Sequence, residues 1–176
     1  MSKEYSPKRF FPRRLLVAAC LLLLLPAARA AAQDVGLPIG QVPDAVQLDD
    51  LDGNTVDLAS IIGVKPVLIE FWATWCPLCA ALEPRILAAK KTYGDALEVI
   101  IVAVGVNQSP RSIRRHVEKH APPGVLLFDA RGRAARAFMA PTTSYVVALD
   151  AAGRVVYTGV GEDQDIAAAA RKAVGL

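Results

Sequence analysis

The chain has 176 residues, 53% of them hydrophobic and 21% charged, which suits one domain with a full core and excludes two of ordinary size. Its net charge of +3 is an N-terminal property: residues 1–32 hold six cations and one anion, so the remainder carries −2 and gives no case for nucleic-acid binding. Of the three cysteines, Cys20 lies in the leader and only Cys76 and Cys79 in the globular part, which excludes a four-thiolate zinc site and closes too short a loop for a structural staple.

Taken in order, residues 1–14 are basic, Leu15 to Leu25 is an apolar run ended by Pro26, and Ala27-Ala28-Arg29-Ala30-Ala31-Ala32 follows. This is the three-part pattern of a secretory signal peptide, with cleavage expected after Ala30 or Ala32. The run is short for a membrane span; an uncleaved leader tethering the protein through residues 15–25 is the alternative. Val17-Ala18-Ala19-Cys20 has the look of a lipoprotein box, but the apolar run continues beyond it, so Cys20 reads as part of that run. Arg13-Arg14 lacks the rest of a twin-arginine signal. The division expected is a leader or anchor over 1–32 and a globular domain over 33–176, exported to the periplasm.

Residues 33–45 form a polar lead-in marked by Pro and Gly. Val46 to Leu58, with Asp52-Gly53 at its middle, predicts a β-hairpin. Lys65-Pro66 opens a strand over 67–72, apolar except for Glu70 and therefore central and buried on both faces. A helix is predicted from Cys76 to about Tyr93, bent at Pro84 and stopped by Gly94. Leu97 to Val104 reads as a second buried strand, and Ser109-Pro110 caps a helix over roughly 110–120. Val125–Phe128 is a short strand, 131–139 a helix, Ser144–Leu149 and Arg154–Gly159 a strand pair, and about 162–174 a last helix. Alternating strands and helices, then a hairpin and a helix, imply an α/β fold: a mixed sheet with helices on both faces.

The chemistry concentrates in Phe71-Trp72-Ala73-Thr74-Trp75-Cys76-Pro77-Leu78-Cys79. A CxxC between a strand and a helix start is the placement that thiol–disulfide exchange requires. The first cysteine sits where free backbone N–H groups and the helix dipole favour a thiolate. The second lies one turn on, within reach of a mixed disulfide.

These residues resemble the thioredoxin superfamily, and within it the exported TlpA/ResA-type reductases, a branch that includes cytochrome c maturation thioredoxins and lies near the AhpC/TSA redoxins. The resemblance covers about residues 37–165 and rests on Leu51-Asp52-Gly53, the CxxC run, Pro84, Ala140-Pro141-Thr142-Thr143 and Asp150-Ala151-Ala152-Gly153-Arg154. It implies a thioredoxin-like fold with an N-terminal hairpin and a central strand–helix insertion between Leu97 and Phe128. It further implies that Cys76 is the nucleophile, Cys79 the resolving thiol and Pro141 a cis-proline facing them. Ala140 then offers free backbone groups to a substrate strand, and Thr142 fixes the turn. No cofactor is implied beyond the Cys76–Cys79 disulfide.

Glu70 departs from the branch, many of whose members are neutral there, and resembles the buried aspartate of thioredoxins. Burial should raise its pKa and suit it to take the Cys79 proton; the bland alternative is a sheet-edge or lysine-paired carboxylate. Glu83 stands one place beyond the branch's usual acid, so that role is not carried to it, and a solvated residue is expected. Trp75 and Pro77 are expected at the substrate-contact surface and Trp72 in the core. Pro77-Leu78 adds no charge between the cysteines, which favours a moderately reducing protein. His116 and His120 have the i, i+4 spacing of metal ligands but stand in a charged run and read as a solvated face. Arg131, Arg133 and Arg136 read as a polar face or a dock for an acidic partner. Ala167 to Ala170 reads as core.

The function expected is a periplasmic, monomeric reductase of disulfides in exported proteins, for example in cytochrome c or copper-site assembly, re-reduced by a membrane electron donor. Three alternatives stand beside it. A peroxiredoxin-type thiol peroxidase would need Pro-x-x-x-Thr-x-x-Cys, and here Thr74 is two before Cys76. A copper-binding assembly factor would need Cys-x-x-x-Cys and a later His. A redox-inert docking domain has no reason to keep both thiols.

Overall fold

The computed structural model describes residues 35–176, and the expectations placed on the leader, Cys20 and the tether lie outside the described residues. Seven strands, β1 (Gln47–Asp49), β2 (Thr55–Asp57), β3 (Val67–Trp72), β4 (Glu98–Val104), β5 (Val125–Asp129), β6 (Tyr145–Leu149) and β7 (Val155–Val160), form one sheet in the order β2-β1-β5-β4-β3-β6-β7. Four helices, α1 (Pro77–Tyr93), α2 (Pro110–Val117), α3 (Arg133–Ala137) and α4 (Ile166–Val174), connect or flank it. β3, β4 and β5 run parallel, while β1, β6 and β7 join antiparallel.

The period-two alternation of each strand decides which side chains meet which layer. Val67, Ile69 and Phe71 of β3 pack with Ile100, Val102, Tyr145, Val147 and, at the C-cap of α3, Phe138. Leu68 packs on the other face with Ile101, Val146, and the apolar stripes of α1 and α4. Helices therefore cover both faces, as expected; of Ala167 to Ala170, Ala169 and Ala170 are fully buried as expected, whereas Ala167 is exposed and Ala168 half-buried, because only one face of α4 meets the sheet.

Local chemistry accounts for the ends of these elements. In the β1–β2 turn, Asp50 Oδ1 accepts from the N–H groups of Asp52 and Asn54 at 2.8 and 2.9 Å, and Gly53 takes the left-handed φ of +87° that the turn requires. Ser109 and Ser112 cap α2 reciprocally. That helix ends at Val117, three residues before the expected end. α1 passes through Pro84 and stops at Gly94.

Candidate functional site

β3 is an interior strand, between β4 and β6, and ends at Trp72, from which a three-residue loop leads to Cys76. Cys76 caps α1: its Sγ accepts from the Cys79 N–H at 3.2 Å, and Pro77 occupies the first turn, where a missing N–H costs nothing. The two cysteines form a disulfide with Cα atoms 5.3 Å apart. Their environments differ. Cys76 keeps 6% of its surface exposed and Cys79 none, so an incoming thiol or disulfide meets Cys76 first.

Residues outside the motif hold this loop. Gln108 Oε1 accepts from the Thr74 N–H at 3.0 Å, and its Nε2 donates to Val104 O at 2.6 Å. Trp75, 48% exposed, donates its indole N–H to Val106 O at 2.9 Å. Nothing in the sequence marks Gln108, since it reaches the loop only because α2 begins beside the end of β4. Asp129 is the other residue missed. It is buried at the end of β5, and its carboxylate accepts from Arg133 N and Ala135 N at 2.7 and 2.9 Å. Those α3 amides offset the cost of burying the charge. The available signal was an Asp-x-x-Gly turn before a helix.

Beside Trp75 lies an open groove of about 520 Å³, floored by Val104, Gly105 and Val106 and walled by Asp129, Arg131, Ala140, Pro141 and Thr142. Tertiary folding thus gathers Trp75, Ala140, Pro141 and Thr142, far apart in the chain, on one side of the disulfide loop. Two expectations about the far wall need correction. The bond before Pro141 is trans, not cis; the chain reverses instead through left-handed residues, Met139 (φ +48°) and Ser144 (φ +60°). The Ala140 N–H is not free, because it donates to Ala135 O at 2.8 Å and closes the C-terminal motif of α3 with Met139 in the left-handed position. The hydrogen bonds holding the turn belong to Ser144 and not to Thr142. Ser144 N–H donates to Phe71 O at 2.8 Å, its Oγ accepts from Gly161 N, and its carbonyl accepts from Gln164 Nε2.

Glu70 lies in the middle of β3, paired across to Ile101 and Val146, with 1% of its surface exposed. Its Oε1 has no hydrogen-bond partner. Burial, reinforced by the negative charge of Glu83, pushes its pKa up to about 8. The sheet-edge alternative is excluded by position. The lysine-paired one is excluded by partner, since Lys65 bonds Glu98 at 2.6 Å.

Glu83 is not the solvated residue expected. It is partly buried and lines a cavity of about 10 Å³ with Glu70, because its position on α1 turns it toward the sheet. His116 is half-buried too, its ring 5.3 Å from that of Trp72, while His120 is exposed as expected. Among the described residues no three His, Cys, Asp or Glu side chains converge to hold a metal ion, and no helix is long and apolar enough to cross a membrane.

Comparison with known proteins agrees with this geometry. A family model described as Redoxin matches residues 38–173. Thioredoxin-like protein YneN of Bacillus subtilis is 31% identical over 101 residues, 57% of this chain and 59% of that protein. Thiol-disulfide oxidoreductase ResA of Halalkalibacterium halodurans is 32% identical over 84 residues, 47% of this chain and 46% of that protein. The chain therefore spans about half the length of these curated relatives. Among solved structures, the thioredoxin domain of a thiol-disulfide oxidoreductase from Bacteroides vulgatus superposes with a TM-score of 0.64 at 21% identity, over 78% of this chain and 99% of that one. A secreted Mycobacterium tuberculosis disulfide oxidoreductase homologous to DsbE gives 0.62 at 22% identity, over 74% and 96%. The fold is thioredoxin-like.

Proposed function

This chain belongs to the Redoxin family, and on that premise we propose that it is a thiol–disulfide oxidoreductase of exported proteins, moving an electron pair through Cys76 and Cys79. The observation that carries the reading is the asymmetry of the pair. Cys76 is reachable at the N-terminus of α1, where the helix dipole favours its thiolate, and Cys79 is sealed behind it.

In the reductive direction the Cys76 thiolate attacks a client disulfide and releases one client sulfur as thiolate. Cys79 then attacks Cys76, closing the Cys76–Cys79 disulfide and releasing the second. The ionised fraction of Glu70 takes the Cys79 proton in that step, so this direction should quicken as pH rises toward 8. In the reverse direction a donor thiolate attacks Cys76 of the oxidised protein, and Cys79 leaves with a proton from Glu70. A carboxyl with its pKa near 8 is mostly protonated at neutral pH, which suits it to that donation.

The signal-peptide pattern of the leader supports a periplasmic site for this chemistry, where a membrane electron donor would restore the dithiol. Clients would be exported proteins whose cysteines must be reduced before a cofactor is attached, such as an apocytochrome or a copper-site protein. The groove between Trp75 and Pro141 would seat the client segment, with Pro77 beside the reactive sulfur.

The test is insulin reduction by the mature protein and its Cys76→Ser and Cys79→Ser variants. Loss of turnover in both, with a client mixed disulfide accumulating on Cys79→Ser, is expected. Turnover surviving Cys76→Ser refutes the reading, and peroxide turnover exceeding insulin turnover would make the protein a peroxidase instead.

A further inference from the structure

We infer that Glu70 exchanges its proton with solvent along a polar route formed by Glu83 and His116, with His120 at the outer end, making these three positioning residues for the resolving step. This rests on the redox reading above, in which Glu70 serves Cys79.

The route is a matter of placement. Glu70 presents an unpartnered oxygen from the centre of β3. Glu70, Glu83, His116 and His120 all line the cavity of about 10 Å³, which is near the size that admits a single water. They come from β3, α1, α2 and the turn after α2. The other lining residues are Trp72, Ile101, Val117, Leu126, Pro122 and Pro123, and none of them titrates. The imidazoles of His116 and His120 lie 5.0 Å apart, one half-buried and one exposed. Ionisable groups thus run from a carboxyl with 1% exposure out to the surface. Trp72 lines the same cavity and packs against the Cys76–Cys79 cluster, so the cavity lies one side chain from the sulfurs.

The chemistry needs such a route. In the resolving step the Cys79 sulfur bonds to Cys76 Sγ, the Cys76–client S–S bond breaks, and the client departs as thiolate with the electron pair. The Cys79 proton goes to the ionised form of Glu70, inside the sheet, so Glu70 must shed a proton outward for each such step. A neutral imidazole can accept a proton on one nitrogen and release one from the other. Burial and the neighbouring His120 hold the His116 pKa below its ordinary value, against the opposing pull of Glu83. His116 is therefore mostly neutral near pH 7. The Glu83 charge adds to burial in holding the proton on Glu70.

The experiment is single-turnover release of client thiol from reduced full-length protein mixed with a disulfide-bonded peptide, between pH 5.5 and 9. His116→Gln should slow release about tenfold below pH 7, with recovery on adding imidazole; His116→Asn replaces it if the glutamine variant does not fold. Glu83→Gln should move the Glu70 inflection to lower pH. If both variants track the unaltered protein while Glu70→Gln remains slow, the route is overturned and the redox reading stands. Slowing without imidazole rescue and with an unmoved inflection marks a packing role and also overturns it. If the unaltered protein releases no client and Cys79→Ser traps none, the redox reading itself has failed.

Discussion

Replacing Glu70 by glutamine should remove a pH dependence of stability that the buried carboxyl imposes. The folded-state pKa is raised from 4.5 to about 8, so between those values the folded chain holds a proton that the unfolded chain has released. The stabilising contribution is complete below the unfolded value and is lost as pH rises toward the folded one. Each pH unit in that window is worth about 1.4 kcal/mol. With partial titration near pH 5, Glu70 should cost the protein about 2–3 kcal/mol between pH 5 and pH 7. Side-chain exposure of 1% leaves little solvent screening to reduce that figure. Glu70→Gln keeps the shape but cannot titrate, so its stability should lack this slope. A constant offset of about 1–3 kcal/mol from an unsatisfied buried amide is compatible with the reasoning, because it does not vary with pH. Urea unfolding of the oxidised protein and the variant at pH 5, 6, 7 and 8 reads the difference directly. Other titrating groups, His116 included, enter both curves and largely cancel. Parallel curves would refute the account of Glu70 as a buried carboxyl with a raised pKa.

Three further outcomes are expected. Gln108→Ala removes both hydrogen bonds that tie the Thr74 loop to the end of β4 and should cost about 1–2 kcal/mol in urea unfolding, with a cost below a few tenths counting against it. Trp75→Ala should raise KM for insulin about tenfold while changing that for a small disulfide about twofold; equal effects on both would remove Trp75 from the client surface. Gly105→Ala places a methyl 2.8 Å from Ala130 O and 3.0 Å from Asp129 O, so a loss of about 1–3 kcal/mol is expected by thermal unfolding. A neutral result would mean that the strand β5 end yields easily.

The strands and the CxxC helix were legible because their signals are local. Val67 to Trp72 is apolar over a strand's length, and Cys76-Pro77 carries a helix start within two residues. Element ends were less legible: α2 and α3 stop short because tertiary packing, not propensity, holds their last turns. Pro141 misled for a related reason. Its place in the motif is readable, but the contacts that hold the turn, such as Ser144 bonding Phe71 on the neighbouring strand, are long-range in sequence and set only by the fold.

The amino-acid order alone determined that two sulfurs stand at a helix start after a buried strand, since that requires only residues a few places apart. It also put a carboxyl in that strand. Only the tertiary structure decided that Glu70 has no partner, that Glu83 and His116 face it, and that Gln108 braces the cysteine loop. Those relations depend on the relative placement of β3, α1 and α2, which long-range sheet pairing sets and no short window of sequence records.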